Sequence, residues 1–235
     1  NSGTEAVMMA IKAARAFTGR PKIVKIEGAY HGSYDFAEVS LDSSPADWGD
    51  MPASTPYARG TPRGVHDDVI AVPFNDTEAL RAVFAAHGEV IAGVLIDPMP
   101  NRAGLIPARK DYLDAMAAIA RAAGALVIFD EVISFRLGYS GAQGLWDVAP
   151  DLTALGKIIG GGFPVGAIGG RAEVMAVFDP TRGKPALPHG GTFTANPVTM
   201  RAGLAAMRAL TPDSFVHLDR LGGLLRDGIA AALAR

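Results

Sequence analysis

One lysine in an apolar, glycine-rich stretch is the strongest candidate for covalent chemistry in this 235-residue sequence. Lys157 follows Leu155 and Gly156, and two isoleucines and three glycines come after it. A buried, unpaired ammonium group has a lowered pKa, and the free amine can attack an aldehyde to form a Schiff base. Alternatively, the side chain extends to water from a glycine turn. We expect a sheltered amine at this position.

A carboxylate follows the second predicted buried strand. Asp130 comes directly after the apolar run at 125–129. A strand-end aspartate commonly caps a turn. The functional interpretation is a carboxylate that pairs with a pyridinium nitrogen and so lets the ring accept electrons.

Three glycine-flanked segments contain residues that could bind a phosphate group or stack on a flat ring. Gly3 and Thr4 lie at the start of the first predicted helix, as part of an ordinary N-cap or of a phosphate site. Tyr30 can pack in the core or stack on a flat ring. Thr192, within 190–193 (GGTF), offers a second hydroxyl, and His189 could orient that loop. Together with the lysine and the aspartate, these features match the requirements of pyridoxal 5′-phosphate (PLP).

Alternating helices and strands must position these residues. This alternation predicts a three-layer α/β fold, a mostly parallel central sheet with helices on both faces. Ligands bind at the carboxyl ends of such strands, which is where Asp130 and Lys157 lie. A long loop is predicted over 32–64. The predicted strands are 22–27, 90–96, 125–129, 152–155 and 165–168, and the predicted helices are 4–18, 78–86, 111–123, 194–210 and 214–234.

The composition of the chain and the motifs that it lacks exclude or disfavour several other classes of protein. Hydrophobic residues make up 49% and charged residues 20%, which excludes wholesale disorder. The absence of cysteine excludes disulfides and thiolate nucleophiles. A net charge of −2 indicates no nucleic-acid or membrane partner, and the longest apolar run is strand-sized. The five histidines lack ligand spacing, so no metal site is expected, and P-loop, HExxH and GxSxG motifs are absent.

Six motifs in family order give the sequence a resemblance to class III aminotransferases of fold type I. Within that family it looks most like glutamate-1-semialdehyde aminomutases and β-amino-acid transaminases, and residues 176–182 and 190–193 lean toward the latter. The motifs are 1–6 (NSGTEA), 30–32 (YHG), 129–132 (FDEV), 150–157 (PDLTALGK), 159–166 (IGGGFPVG) and 189–197 (HGGTFTANP).

The resemblance implies a role for each candidate residue. Lys157 would form the Schiff base with PLP, and Asp130 would pair with the pyridine nitrogen. Val132 would pack under the ring, opposite Tyr30. The resemblance further implies a cytoplasmic homodimer with its active sites at the interface. The remaining roles are phosphate binding by Gly3 and Thr4, binding of the neighbouring subunit's phosphate by Thr192, and structural support by Glu131 and Arg136.

The resemblance also implies ping-pong transfer of an amino group from an amino acid or amine to a keto acid or aldehyde. A glutamate-1-semialdehyde aminomutase and a PLP-binding but catalytically impaired remnant are the alternatives. Family members are about twice this long, so we expect truncation at both ends and a substrate-carboxylate arginine outside this chain. We expect residues 1–210 to form the PLP-binding domain and 211–235 a helix leading toward an absent small domain.

Overall fold

The computed structural model describes residues 1–44, 46, 51–181 and 183–234. The strands are β1 (Lys22–Ile26), β2 (Val69–Val72), β3 (Ile91–Ile96), β4 (Leu126–Asp130), β5 (Leu152–Gly156) and β6 (Gly166–Gly170). The α-helices are α1 (Gly3–Thr18), α2 (Asp35–Glu38), α3 (Arg63–Asp67), α4 (Thr77–His87), α5 (Lys110–Ala122), α6 (Gly141–Trp146), α7 (Ala172–Met175), α8 (Pro197–Ala209) and α9 (Pro212–Leu233).

The strands form one sheet in the order β2-β1-β3-β4-β5-β6. Each neighbouring pair from β2 to β5 is parallel, and β6 runs antiparallel to β5. From β1 the chain moves outward to β2 and then returns to β3 on the other side. Open parallel sheets bind ligands beside such a reversal, outside the carboxyl ends of the strands.

Two apolar layers cover the two faces of the sheet. Every residue of β3 and β4 is buried, as expected of central strands in a parallel sheet. Because side chains alternate along a strand, Leu95 joins the layer under α1 and Ile96 joins the layer under α4 and α5. This arrangement confirms the predicted three-layer, mostly parallel α/β fold.

Helix α1 begins and ends with clear capping signals. The Ser2 side chain accepts a hydrogen bond from the Glu5 amide at 3.2 Å. At the other end Gly19 has φ 72°, and its amide donates to the Arg15 carbonyl. The short connection from Gly19 to β1 makes the helix antiparallel to that strand. The start of α1 therefore lies at the carboxyl edge of the sheet.

Several segments differ from the sequence prediction, and the short helices α6 and α7 were not predicted. Strand β2 was not predicted, because four residues carry too little periodicity to signal a strand. The predicted loop at 32–64 contains α2 and the start of α3. Helix α8 begins at Pro197 rather than at 194, because the Asn196 side chain caps it by accepting from the Val198 and Thr199 amides.

Parts of the predictions at 32–64, 176–182 and 211–235 concern residues outside the described ranges, namely 45, 47–50, 182 and 235. Across the described ranges, no helix combines the length and the apolar character needed to cross a bilayer.

Candidate active site

The predicted site residues converge on one cavity at the carboxyl edge of the sheet. Its volume is about 110 Å³. Every predicted catalytic or cofactor-binding residue except Thr192 contributes to its wall. The lining residues are Gly3, Thr4, Tyr30, His31, Gly32, Asp97, Asp130, Val132, Ile133 and Lys157.

Asp130 ends β4 and lines this cavity, with 5% of its surface exposed. One carboxylate oxygen, Oδ1, accepts a hydrogen bond from the Val132 amide at 3.0 Å. The other, Oδ2, lies 2.8 Å from Nδ1 of His31. Because a carboxylate only accepts, the proton of this pair is assigned to Nδ1. Both oxygens are thus engaged, and the carboxylate is held in one orientation.

His31 lines the cavity, although sequence reasoning did not assign it there. It is 1% exposed, and its Nε2 has no hydrogen-bond partner among the described residues. A buried polar atom without a partner is uncommon and requires an explanation. The motif at 30–32 indicates an aromatic residue at Tyr30. It carries no signal that His31 contacts Asp130, which lies 99 positions away in the sequence.

Asp97 adds a second buried carboxyl group beside this pair. It follows β3, and its Oδ1 accepts from the Met99 amide at 3.0 Å. Burial raises the pKa of Asp97, the Met99 amide opposes this rise, and the neighbouring Asp130 carboxylate adds to it. The cavity wall therefore contains two buried carboxyl groups, and of these two Asp130 is the one that accepts from a histidine.

The start of α1 presents hydrogen-bond donors to the same cavity. The amides of Gly3 and Thr4 belong to the first turn and have no acceptor within the helix. Thr4 Oγ1 accepts from the Ser33 amide at 3.1 Å, which leaves its hydroxyl proton free to donate elsewhere. Two amides, a hydroxyl and the positive end of the helix dipole form an arrangement that binds anions.

Val132 packs closely against two glycines, Gly3 and Gly156. A Cβ atom added to Gly3 would lie 2.7 Å from Val132 Cγ1, and one added to Gly156 would lie 3.2 Å away. A side chain at position 3 would force Val132 to shift, and one at position 156 would require it to give by a few tenths of an ångström. Tyr30, 39% exposed, lines the same cavity and presents an aromatic surface to it.

Lys157 reaches the cavity from the end of β5, but it is exposed rather than sheltered. The expectation of burial was wrong, because the lysine begins a 3₁₀ turn (Lys157–Gly160) that leaves the sheet edge. Its φ of 46° is left-handed, a conformation that costs a non-glycine residue roughly 1–3 kcal/mol and is concentrated at functional sites. Within the described residues, no hydrogen bond or ion pair restrains its ammonium group.

Comparison with known proteins identifies the family. The model of the family "Aminotransferase class-III" matches residues 1–234. The chain belongs to the class III aminotransferases. This confirms the resemblance inferred from the motifs, and the class III family is PLP-dependent.

Three proteins similar to this chain carry different enzyme names. An omega-transaminase structure from Sphaerobacter thermophilus is 59% identical, with TM-score 0.97 over 99% of this chain and 53% of that one. A β-phenylalanine aminotransferase structure from Variovorax paradoxus is 42% identical, with TM-score 0.80 over 97% and 48%. Glutamate-1-semialdehyde 2,1-aminomutase of Aeropyrum pernix is 47% identical over 221 residues, 94% of this chain and 50% of that protein. The chain thus spans about half the length of the curated relatives it matches.

Thr192 lies apart from the Lys157 cavity of this class III chain. It is exposed, in the segment that precedes α8. Its neighbours Gly191 and Phe193 line a separate cavity of about 290 Å³ between the start of α1 and the segment at 189–196. The structure therefore does not bring Thr192 to the cavity of its own chain, and its expected contact with a second subunit stays a prediction.

Glu131 has contacts typical of structural support. Its carboxylate accepts from the Ala142 amide at 2.6 Å and from the Gln143 amide at 3.1 Å, which caps the start of α6. Burial raises its pKa, and these hydrogen bonds oppose the rise. Arg136 is exposed and lines another cavity with Tyr139.

Proposed function

We propose that this protein is a PLP-dependent transaminase that moves an amino group from an amino acid or amine to a keto acid or aldehyde. The observation that carries the proposal is the convergence of Lys157, the His31–Asp130 pair and the free amides of α1 on one cavity. A primary amine, a fixed anion and an anion-binding helix start are the groups that PLP requires.

Two features of the cavity fit PLP on grounds of shape and bonding. Gly3 and Gly156 leave the space in which Val132 faces the cavity, so a flat ring can lie on the valine. The buried Asp130 carboxylate is already oriented by two hydrogen bonds, so its negative charge is available to a cationic partner. The residues that would hold PLP are Gly3, Thr4, Tyr30, Asp130, Val132 and Lys157.

When bound, PLP supplies an aldehyde that links reversibly to amines and a ring that withdraws electrons from the neighbouring carbon. Lys157 would bind the aldehyde carbon and, once released by an incoming amine, serve as the base that removes the substrate Cα proton. Asp130 would keep the ring nitrogen protonated, and His31 would hold Asp130 in place. Exposure of Lys157 suits a residue that must exchange places with substrate.

The second candidate function is a glutamate-1-semialdehyde 2,1-aminomutase, favoured by the 47% identical relative from Aeropyrum pernix. The same residues would serve this reaction. It differs in that the amino group returns to the carbon skeleton from which it came. The third candidate is a homologue that binds PLP without turnover.

We further propose a cytoplasmic homodimer in which Thr192 reaches the phosphate site of the other subunit. Residues 1–210 would be the PLP-binding unit and 211–235 a helix that leads toward a small domain. The exposed apolar side chains of α9, such as Leu224 and Leu225, support a role for this helix in further packing.

A spectral screen of half-reactions tests the proposal. Purified protein loaded with PLP is mixed with α-amino acids, β-amino acids and simple amines, and the conversion of the cofactor to its amine form is followed by absorbance. A transaminase converts with a donor alone and returns on addition of a keto acid, which yields a new amino acid. Turnover of glutamate-1-semialdehyde without any acceptor would favour the mutase, and bound cofactor that no donor converts would favour the inactive homologue.

A further inference from the structure

Strand β1 contains a fully buried lysine, the next-to-last residue of the strand. Lys25 has no exposed surface. Its Nζ donates to the Ala29 carbonyl at 3.1 Å and to the Val39 carbonyl at 2.6 Å. Burying a lysine is unfavourable compared with burying an apolar side chain of the same length, so its presence here requires a compensating role.

The two carbonyls mark the ends of one segment, residues 29–39. The Gly28 amide donates to the Ser40 carbonyl at 2.8 Å, just outside the same two ends. The segment leaves the sheet after β1 and returns beside it. Lys25 therefore ties together the two ends of a closed loop from within the sheet.

This loop carries the cavity residues that come from β1. Tyr30 and His31 directly follow Ala29, the residue whose carbonyl Lys25 holds. His31 in turn contacts Asp130 at 2.8 Å. A shift of the loop ends would therefore move both the aromatic wall and the histidine that orients the aspartate.

The tether does not depend on the charge of the lysine. Burial lowers the pKa of Lys25 to about 7, and the nearby Glu27 carboxylate opposes this fall. A neutral amine keeps two N–H donors, one for each carbonyl. Both hydrogen bonds thus form on either side of neutral pH.

We propose that Lys25 is a positioning residue: by holding the Ala29 and Val39 carbonyls it fixes the loop that presents Tyr30 and His31 to the cavity. The effect on the loop follows from the contacts alone. The effect on PLP rests on the function proposed above.

The test compares Lys25→Met with Lys22→Met in the purified protein. Lys22 is a matched control because it lies on the same strand and its Nζ also donates to a backbone carbonyl, that of Asp67, at 2.5 Å, away from the cavity loop. The first readout is hydrogen–deuterium exchange of peptides from the cofactor-free protein. The second is the dissociation constant for PLP, from a titration.

We expect Lys25→Met to speed exchange in residues 27–41 about tenfold, since two buried acceptors lose their donor, while β3 and β4 keep their protection. PLP affinity should fall about tenfold, and Lys22→Met should change either readout less than about twofold. Lys25→Gln, which keeps a shorter N–H donor, should lie between Lys25→Met and the wild type.

Unchanged exchange over 27–41 in Lys25→Met would overturn the proposal, as would equal acceleration of all peptides, which would indicate a general stabilising role. If Lys25→Met does not fold, Lys25→Gln decides on the same criteria. Failure of both variants to fold would also overturn the specific role. A wild-type protein that does not bind PLP would contradict the proposed function, whereas the exchange data would still decide the role of Lys25 in the loop.

Discussion

The two side chains proposed to do the chemistry are held in opposite ways. Asp130 is buried, and each carboxylate oxygen has its own donor. Lys157 is exposed, lies on a left-handed residue that starts a turn, and has no polar contact with the described residues. Asp130 and His31 are here called the fixed half of the site, and Lys157 the open half.

This difference follows from the tasks that the two groups would perform. An anion that stabilises charge is most effective when it needs no reorganisation during the reaction. An amine that forms and breaks a bond and then carries a proton between atoms must move. The sheet supports both arrangements, since β4 is flanked by parallel strands on each side, whereas β5 borders the antiparallel edge strand β6.

Removal of the open half should have the largest effect. In Lys157→Ala we expect no covalent attachment of PLP and a loss of turnover of at least about 10³-fold, because both the attachment point and the base are gone. Absorbance spectra and single-turnover rates measure this. Lys12→Ala, at an exposed position of α1, is the control and should behave as wild type. Covalent attachment that persists in Lys157→Ala would assign it to another lysine.

Neutralising the fixed half should separate cofactor binding from catalysis. Asp130→Asn keeps an acceptor for the Val132 amide but loses the negative charge. We expect PLP to remain bound while turnover falls roughly 10²–10³-fold, since the ring nitrogen loses its charge partner. Parallel titrations and steady-state rates give the two quantities. Turnover equal to wild type would remove Asp130 from the mechanism.

Loosening the fixed half should have a moderate effect. His31→Phe fills the same space without a donor to Asp130 Oδ2, and we expect about a tenfold loss of turnover. His31→Asn places an N–H donor near the position of Nδ1 and should restore much of the rate. The comparison of kcat in the two variants tests this. Equal losses in both would show that packing, rather than the hydrogen bond to Asp130, accounts for the effect.

Substitution of Glu131, which belongs to neither half of the site, should lower the free energy of unfolding without affecting catalysis. Glu131→Ala leaves the capped amides of Ala142 and Gln143 without their acceptor, and we expect a loss of roughly 1–3 kcal/mol in unfolding free energy. Denaturant unfolding measures this loss. The PLP spectrum and kcat at 25 °C should stay within about twofold of wild type. A loss of turnover comparable to that of Asp130→Asn would place Glu131 in the chemistry instead.

Most of the central sheet was predictable from the hydrophobic pattern of the sequence. The continuous apolar runs of β3 and β4 marked the central strands, and Asp130 could be placed at a strand end for that reason. The four residues of β2 gave too short a signal. The motifs placed Gly3, Tyr30, Val132 and Lys157 at one site, and the cavity contains them all.

Two features of the site depend on tertiary structure and could not be predicted from the sequence. The contact between His31 and Asp130 joins residues 99 positions apart, which no local pattern encodes. The exposure of Lys157 was missed because apolar neighbours in sequence do not determine which elements cover a side chain in space. Lys25 shows the reverse case: a lysine in an ordinary strand segment proves to be fully buried.

The central claim is that the open half of the site, Lys157, binds PLP covalently. Borohydride reduction of the PLP-loaded protein, followed by digestion and peptide mass spectrometry, tests it most directly. We predict a single modified lysine, at position 157, in the peptide that follows β5. Modification at a different lysine, or none after reduction of protein that has bound PLP, would contradict the account.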